Sequence, residues 1–157
     1  MFPSRIDRCK EHYWRSLLET VSREYRVLGV ANNGYTDTAS KRERYKQLIA
    51  AAINKGAVVE FLWLSPTADV AKLREKEEGR ATRLDTCKSI LFFWELKSEL
   101  GPTAQDRLVL REHEHIPSCG ITQADSRLTV THYVPGQDNL DSPGWILTAT
   151  PYPFIGA

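Results

Sequence analysis

Apolar residues recur at helical spacing in several stretches of the chain and run almost unbroken, or alternate, in others. Ile6, Cys9, Tyr13, Leu17 and Val21 fall on one stripe, with Trp14 and Leu18 beside it, and predict a helix over residues 6–21. Residues 25–31 (YRVLGVA) then read as a strand, and Asn32-Asn33-Gly34-Tyr35 as a loop with strong turn chemistry. Tyr45, Leu48, Ile49, Ala52 and Ile53 share a face over residues 41–54. Ser40 is the expected cap of that helix, Glu43 completes a capping box, and Gly56 stops it. Val58–Leu64 is apolar except for Glu60 and predicts a buried strand.

At Ser65-Pro66 the pattern breaks. Ser65 suits an N-cap and Pro66 a first helical turn, so a charged helix is expected over residues 67–78, ended by Gly79. A longer helix follows over residues 81–100, with Leu84, Cys87, Leu91 and Trp94 spaced for burial and Ile90, Phe93 and Leu96 widening the stripe. Gly101-Pro102 ends it. Residues 107–113, 120–124 and 127–134 predict strands, the last two joined by a turn at Asp125-Ser126, and residues 145–148 a final short strand. The order strand, amphipathic helix, strand makes a right-handed crossover between parallel strands the economical arrangement. The expected fold is α/β, with a mixed, mostly parallel central sheet flanked by helices, in a single domain over residues 1–157.

The 157 residues suffice for one sizeable core, and 41% hydrophobic with 10% aromatic residues argues for a folded domain. A net charge of +1 gives no electrostatic reason to expect nucleic acid or an anionic membrane as the main partner. No stretch reaches the roughly 20 apolar residues of a membrane span, and the first residues lack a signal peptide's apolar core. A cytoplasmic protein is therefore expected. Cys9, Cys87 and Cys119 are too few and too scattered for a disulfide framework, and Cys9 and Cys87 are expected as small buried residues within helices.

Candidate chemistry gathers where the strands end. In a parallel arrangement the loops bearing Asn32, Asn33 and Tyr35, and then Ser65 and Thr67, lie on one edge of the sheet, where open α/β sheets bind ligands. Ordinary turn and capping chemistry accounts for the same residues equally well. Arg74 and Glu78 are spaced to pair on the charged helix. His113 and His115 alternate on a strand near Cys119, but no further ligand has a recognisable metal spacing, and no metal site is expected. Catalytic triads, phosphate-binding loops and dinucleotide fingerprints are absent from the sequence.

The segments RVLGVANNGY, GAVVEFLWLSP, KLREKEEGRATRL, HIPSCGITQADSRLTVTHYVPG and SPGW, in this order, resemble one half of the phospholipase D-like fold, and more closely an uncharacterised bacterial branch of that superfamily. Members of that branch often follow helix-turn-helix or other modules. Active members carry a His-x-Lys-x4-Asp motif in which the histidine is the covalent nucleophile. Here Ser118, Gly120 and Asp125 hold that spacing, so only the aspartate agrees and a phosphohistidine intermediate cannot form.

The resemblance implies a non-catalytic ligand-binding or sensor domain. Its expected ligand is small and polar, phosphate-bearing or nucleotide-like, and sits among Asn32, Ser65, Arg74, Glu78 and Asp125, with His115 and Ser118 close by. Arg74 would meet the anion, Glu78 and Asp125 would accept hydrogen bonds, and Asn32 and Ser65 would orient the ligand. No cofactor is expected, and output would pass through a partner effector chain or a homodimer. The alternatives are a phosphodiesterase or other hydrolase using His115, Ser118 or Glu78, and an interaction module whose Trp145, Tyr152 and Phe154 dock on a partner or a second copy.

Overall fold

The structure is a computed structural model that describes residues 11–133 and 144–148. Helix α1 is Glu11–Thr20, strand β1 is Glu24–Gly29, and Asn33–Tyr35 forms a single 3-10 turn. Then come α2 (Ala39–Asn54), β2 (Val58–Leu64), α3 (Asp69–Glu78), α4 (Thr82–Glu99) and the short α5 (Pro102–Gln105). Strands β3 (Leu108–His113), β4 (Cys119–Ala124), β5 (Arg127–His132) and β6 (Gly144–Thr148) complete the described chain. Among the described residues no helix is long and apolar enough to cross a membrane.

The strands form one six-stranded sheet in the order β3-β2-β1-β4-β5-β6. β1, β2 and β3 are parallel, as the crossover pattern predicts. β4 pairs antiparallel with β1, and β5 and β6 continue antiparallel. The sheet is therefore mixed, but it is not mostly parallel. The physical reason is the tight Asp125-Ser126 turn, which forces β5 to reverse on β4, while β4 itself enters beside β1 by crossing the ends of two strands.

Side-chain alternation gives the sheet two unlike faces. Tyr25 and Val27 of β1, Val59, Phe61 and Trp63 of β2, and Leu108 of β3 point to one face and are fully or nearly fully buried. They meet Leu17 and Leu18 of α1, Ile49, Ala52 and Ile53 of α2, and Phe92, Phe93 and Leu96 of α4. Phe93 anchors this layer: its ring lies 4.0 Å from that of Phe61 and is stacked at 5.9 Å on Trp63. The opposite face carries Arg26, Leu28, Glu60, Leu62, Ile121 and Val130, all half-buried or exposed. Past the strand ends, α3 packs Ala71 on Val30 and Leu64 in a smaller cluster of its own.

Several local expectations change. α2 is capped by Thr38, whose hydroxyl accepts from the Lys41 N–H at 3.2 Å, and Glu43 accepts from Gln47 instead of closing a capping box. Ser65 does not cap a helix; residues 65–68 make a separate turn, and α3 starts at Asp69. α4 is inverted relative to its apolar pattern. Leu84, Cys87, Leu91 and Trp94 face outward, whereas Thr82, Thr86 and Ser89 are buried beside Phe92, Phe93 and Leu96. The inward hydroxyls are satisfied within the helix: Thr86 donates to the Thr82 carbonyl and Ser89 to that of Asp85. Cys9, Tyr152 and Phe154 lie outside the described residues.

Candidate functional site

β1, β2 and β3 all end on one edge of the sheet, and β4 starts there. The loops bearing Asn32, Ser65, and His115 with Ser118 therefore gather at that edge, as the parallel arrangement requires. Asp125 does not. It sits at the far end of β4, beside the start of β1. There its carboxylate accepts hydrogen bonds at 2.9–3.0 Å from the backbone N–H groups of Ser22, Arg23 and Glu24 and from the Ser22 hydroxyl. Partial burial alone would raise its pKa, but these donors outweigh it and hold the carboxyl below its ordinary value. Asp125 is a clamp between the hairpin and the entry to β1, at a backbone φ of 50°.

The other expected residues share the edge without sharing one cavity. Ser65 is buried, its hydroxyl 3.0 Å from that of Thr67 and its N–H bonded to the His113 carbonyl. Arg74 is buried as well, in an ion pair of 2.6 Å with Glu78, and its guanidinium lies 4.8 Å from the centre of the Tyr133 ring. The cation is thus neutralised by its own helix and turned onto an aromatic face. His115 and Ser118 are exposed, and Ser118 contributes its carbonyl to the Tyr133 N–H. Among the described residues no three His, Cys, Asp or Glu side chains converge as metal ligands.

Of the seven, Asn32 lines a hollow at this edge, while Asp125 borders only a separate surface dent beside the β4–β5 turn. This hollow opens on the helix-covered side of β1, β4 and β5. Its walls are aromatic: Trp14 from α1, Tyr35 and Tyr45, and Tyr133 after β5. Its floor is small and hydroxylic, with Gly29, Gly120, Thr122, Thr129 and Thr131. Where β2 sends Val59, Phe61 and Trp63 into the core, β4 and β5 send glycine and threonines, and the missing bulk leaves the space. Among the described residues no charged side chain lines it.

Polar groups of this lining differ in what they already bind. Thr129 is used internally, 2.7 Å from the Tyr13 hydroxyl. The hydroxyls of Tyr25 and Tyr35 meet at 2.8 Å, and burial, then the Tyr35 neighbour, keeps the Tyr25 phenol well above its ordinary pKa and so uncharged. Thr122 and Thr131 make no side-chain hydrogen bond among the described residues. The Asn32 Nδ2 is buried and has no acceptor there. Asn32 is held in the left-handed region at φ 52°, and its Oδ1 lies over Gly29 so closely that a Cβ there would approach to 2.1 Å.

Gly120, the residue that the sequence comparison set against a motif lysine, is crowded in the same way. A Cβ at Gly120 would lie 2.8 Å from the Tyr133 hydroxyl, so the tyrosine occupies the room a longer side chain would need. The sequence reading missed Thr122, Thr131 and Tyr133 as lining residues. Their signal was present in the alternation of residues 120–124 and 127–134, which puts Gly120, Thr122, Thr129 and Thr131 on one face where a core strand ordinarily carries Val or Ile.

No protein-family model matches the chain, and no curated protein matches it. Among solved structures, it is similar to TrmBL2, described as an archaeal chromatin protein with a novel mode of DNA binding, at a TM-score of 0.44 and 10% sequence identity. The match covers 85% of this chain and 38% of that one, and a likeness of this degree carries no argument about function.

Proposed function

We propose that this chain is a non-catalytic ligand-binding domain that holds a small, uncharged, polar ring compound in the hollow beside Asn32. The scaffold we propose is a phospholipase D-like half-domain whose nucleophile and lysine positions, Ser118 and Gly120, no longer carry that chemistry. The observation that supports binding is the buried Asn32 Nδ2 at the wall of a hollow, with no acceptor among the described residues. A buried donor left unmade costs about 1–3 kcal/mol, and a ligand carbonyl or ring nitrogen would recover it once the amide turns to face the hollow. Thr122 and Thr131 offer hydroxyls on the floor, and the aromatic walls suit a flat ring. Because the described lining holds no cation and Arg74 is already paired with Glu78, the preferred ligand is a nucleoside or similar neutral ring and not its phosphorylated form.

Calorimetry and thermal shift against neutral nucleosides, nucleobases and sugars, each beside its phosphorylated counterpart, test the proposal. Asn32→Gly removes the amide yet tolerates the left-handed backbone, and Thr131→Val removes one hydroxyl at nearly constant volume. Each should weaken a genuine ligand about fivefold to tenfold, one hydrogen bond's worth. Absence of any neutral binder, tighter binding of the phosphorylated forms, or binders indifferent to both substitutions would each reject it.

A further inference from the structure

Helix α4 carries two apolar faces. The inward one is buried against the sheet and the outward one is not: Leu84, Leu91 and Trp94 are 54%, 63% and 56% exposed, and Cys87 between them is exposed too. Spacings of three, four and three residues place these side chains in one line along the helix, the pattern of a coiled-coil seam. A contiguous apolar line of this kind is unusual on a monomer's surface.

We propose that α4 is a self-association surface on which a second copy of this chain packs its own α4 in antiparallel orientation. The flank of the seam selects that occupant. Lys88 and Glu95, both exposed, lie seven residues apart, about two helical turns, on the same side of the line and have opposite signs. A two-fold axis crossing the helix between Leu91 and Phe92 brings Lys88 of each protomer against Glu95 of the partner subunit, and the symmetry makes this pair twice. A parallel pairing would instead set Lys88 beside the partner's Arg83, already held by its own Glu75 at 2.6 Å, and Glu95 beside the partner's Ile90, so neither charge would gain an opposite partner. The seam is therefore self-complementary in one orientation only. The contact is a low-end interface, so a dimer with a dissociation constant of roughly micromolar order is expected. It uses none of the residues that line the hollow.

Sedimentation velocity and light scattering on the full chain, from about 1 μM to about 1 mM, read the equilibrium directly. The wild type should pass from monomer to dimer across that range. Leu91→Glu should stay monomeric throughout, with an unchanged circular-dichroism spectrum because the side chain is exposed. Lys88→Glu and Glu95→Lys should each weaken association about threefold to tenfold, and the double swap should restore it. A wild type that remains monomeric overturns the proposal. So does a dimer that Leu91→Glu leaves intact, which would have formed elsewhere, or a double swap no better than either single one.

Discussion

Asp125 shows how one residue can match a motif's spacing and serve a different purpose. Its carboxylate closes the gap between the β4–β5 turn and the first residues of β1 with four hydrogen bonds. Because its folded-state pKa lies below the unfolded one, its contribution is fully present above the ordinary carboxylate range. It is lost as pH falls through that range toward the folded value, where the unfolded chain takes up the proton first. Urea melts across pH should show this directly. Asp125→Asn should cost about 1–2 kcal/mol at about pH 7, less than a fully buried charge-assisted set would, since the site is partly solvated. The difference from wild type should shrink steadily toward about pH 3. A gap that stays constant over that span would mean the carboxylate's charge is not what holds the turn. The sequence made the turn itself legible through Asp125-Ser126, but a turn acid looks alike whether it clamps backbone or meets a ligand. Only the distant N–H groups of Ser22, Arg23 and Glu24 decide, and no local pattern announces them.

At the level of elements, the strands read more faithfully from the sequence than the orientation of α4 did. β2 was legible because Val58–Leu64, apolar except for Glu60, has the character of a strand paired on both sides. α2 was legible because Tyr45, Ile49, Ala52 and Ile53 form a single buried stripe. α4 has apolar residues on opposite sides, so periodicity alone could not choose between them. Small hydroxyl residues then won the inward position because Thr86 and Ser89 bond back to their own helix and leave room for the Phe93 ring. Mutational stability separates the two faces. Phe93→Ala should cost about 3–5 kcal/mol, the usual penalty for emptying an aromatic site in a core. Leu91→Ala, measured at a concentration where the chain is monomeric, should stay within about 0.5 kcal/mol of wild type. Chemical denaturation of the two variants side by side checks the assignment, and equal losses would place Leu91 in the core.

On the scale of the whole molecule, the sheet joins a helix-covered parallel half to an antiparallel extension. The crossover β1–α2–β2 could be inferred because it is local; the insertion of β4 beside β1 could not, because it depends on residues about a hundred positions apart meeting across the finished sheet. This construction grades stability from one side to the other. β2 lies between two ladders with Val59, Phe61 and Trp63 essentially without solvent contact, so its amides can exchange only when the whole domain opens. β6 hangs on β5 alone among the described strands, and Leu147 is half exposed, so β6 can leave without disturbing the aromatic layer. Native-state hydrogen exchange should therefore find the Phe61 and Trp63 amides among the slowest, with an opening free energy equal to that from denaturant melts. The β6 amides that pair with β5 should exchange by local opening that is insensitive to low denaturant. The floor of the hollow belongs to β4 and β5, between these extremes, so a ligand seated on Thr122 and Thr131 should slow exchange in those two strands more than in β2. Equal protection across all six strands would instead mean that the sheet opens as one cooperative unit, and that the antiparallel side is as firmly tied to the core as the parallel one.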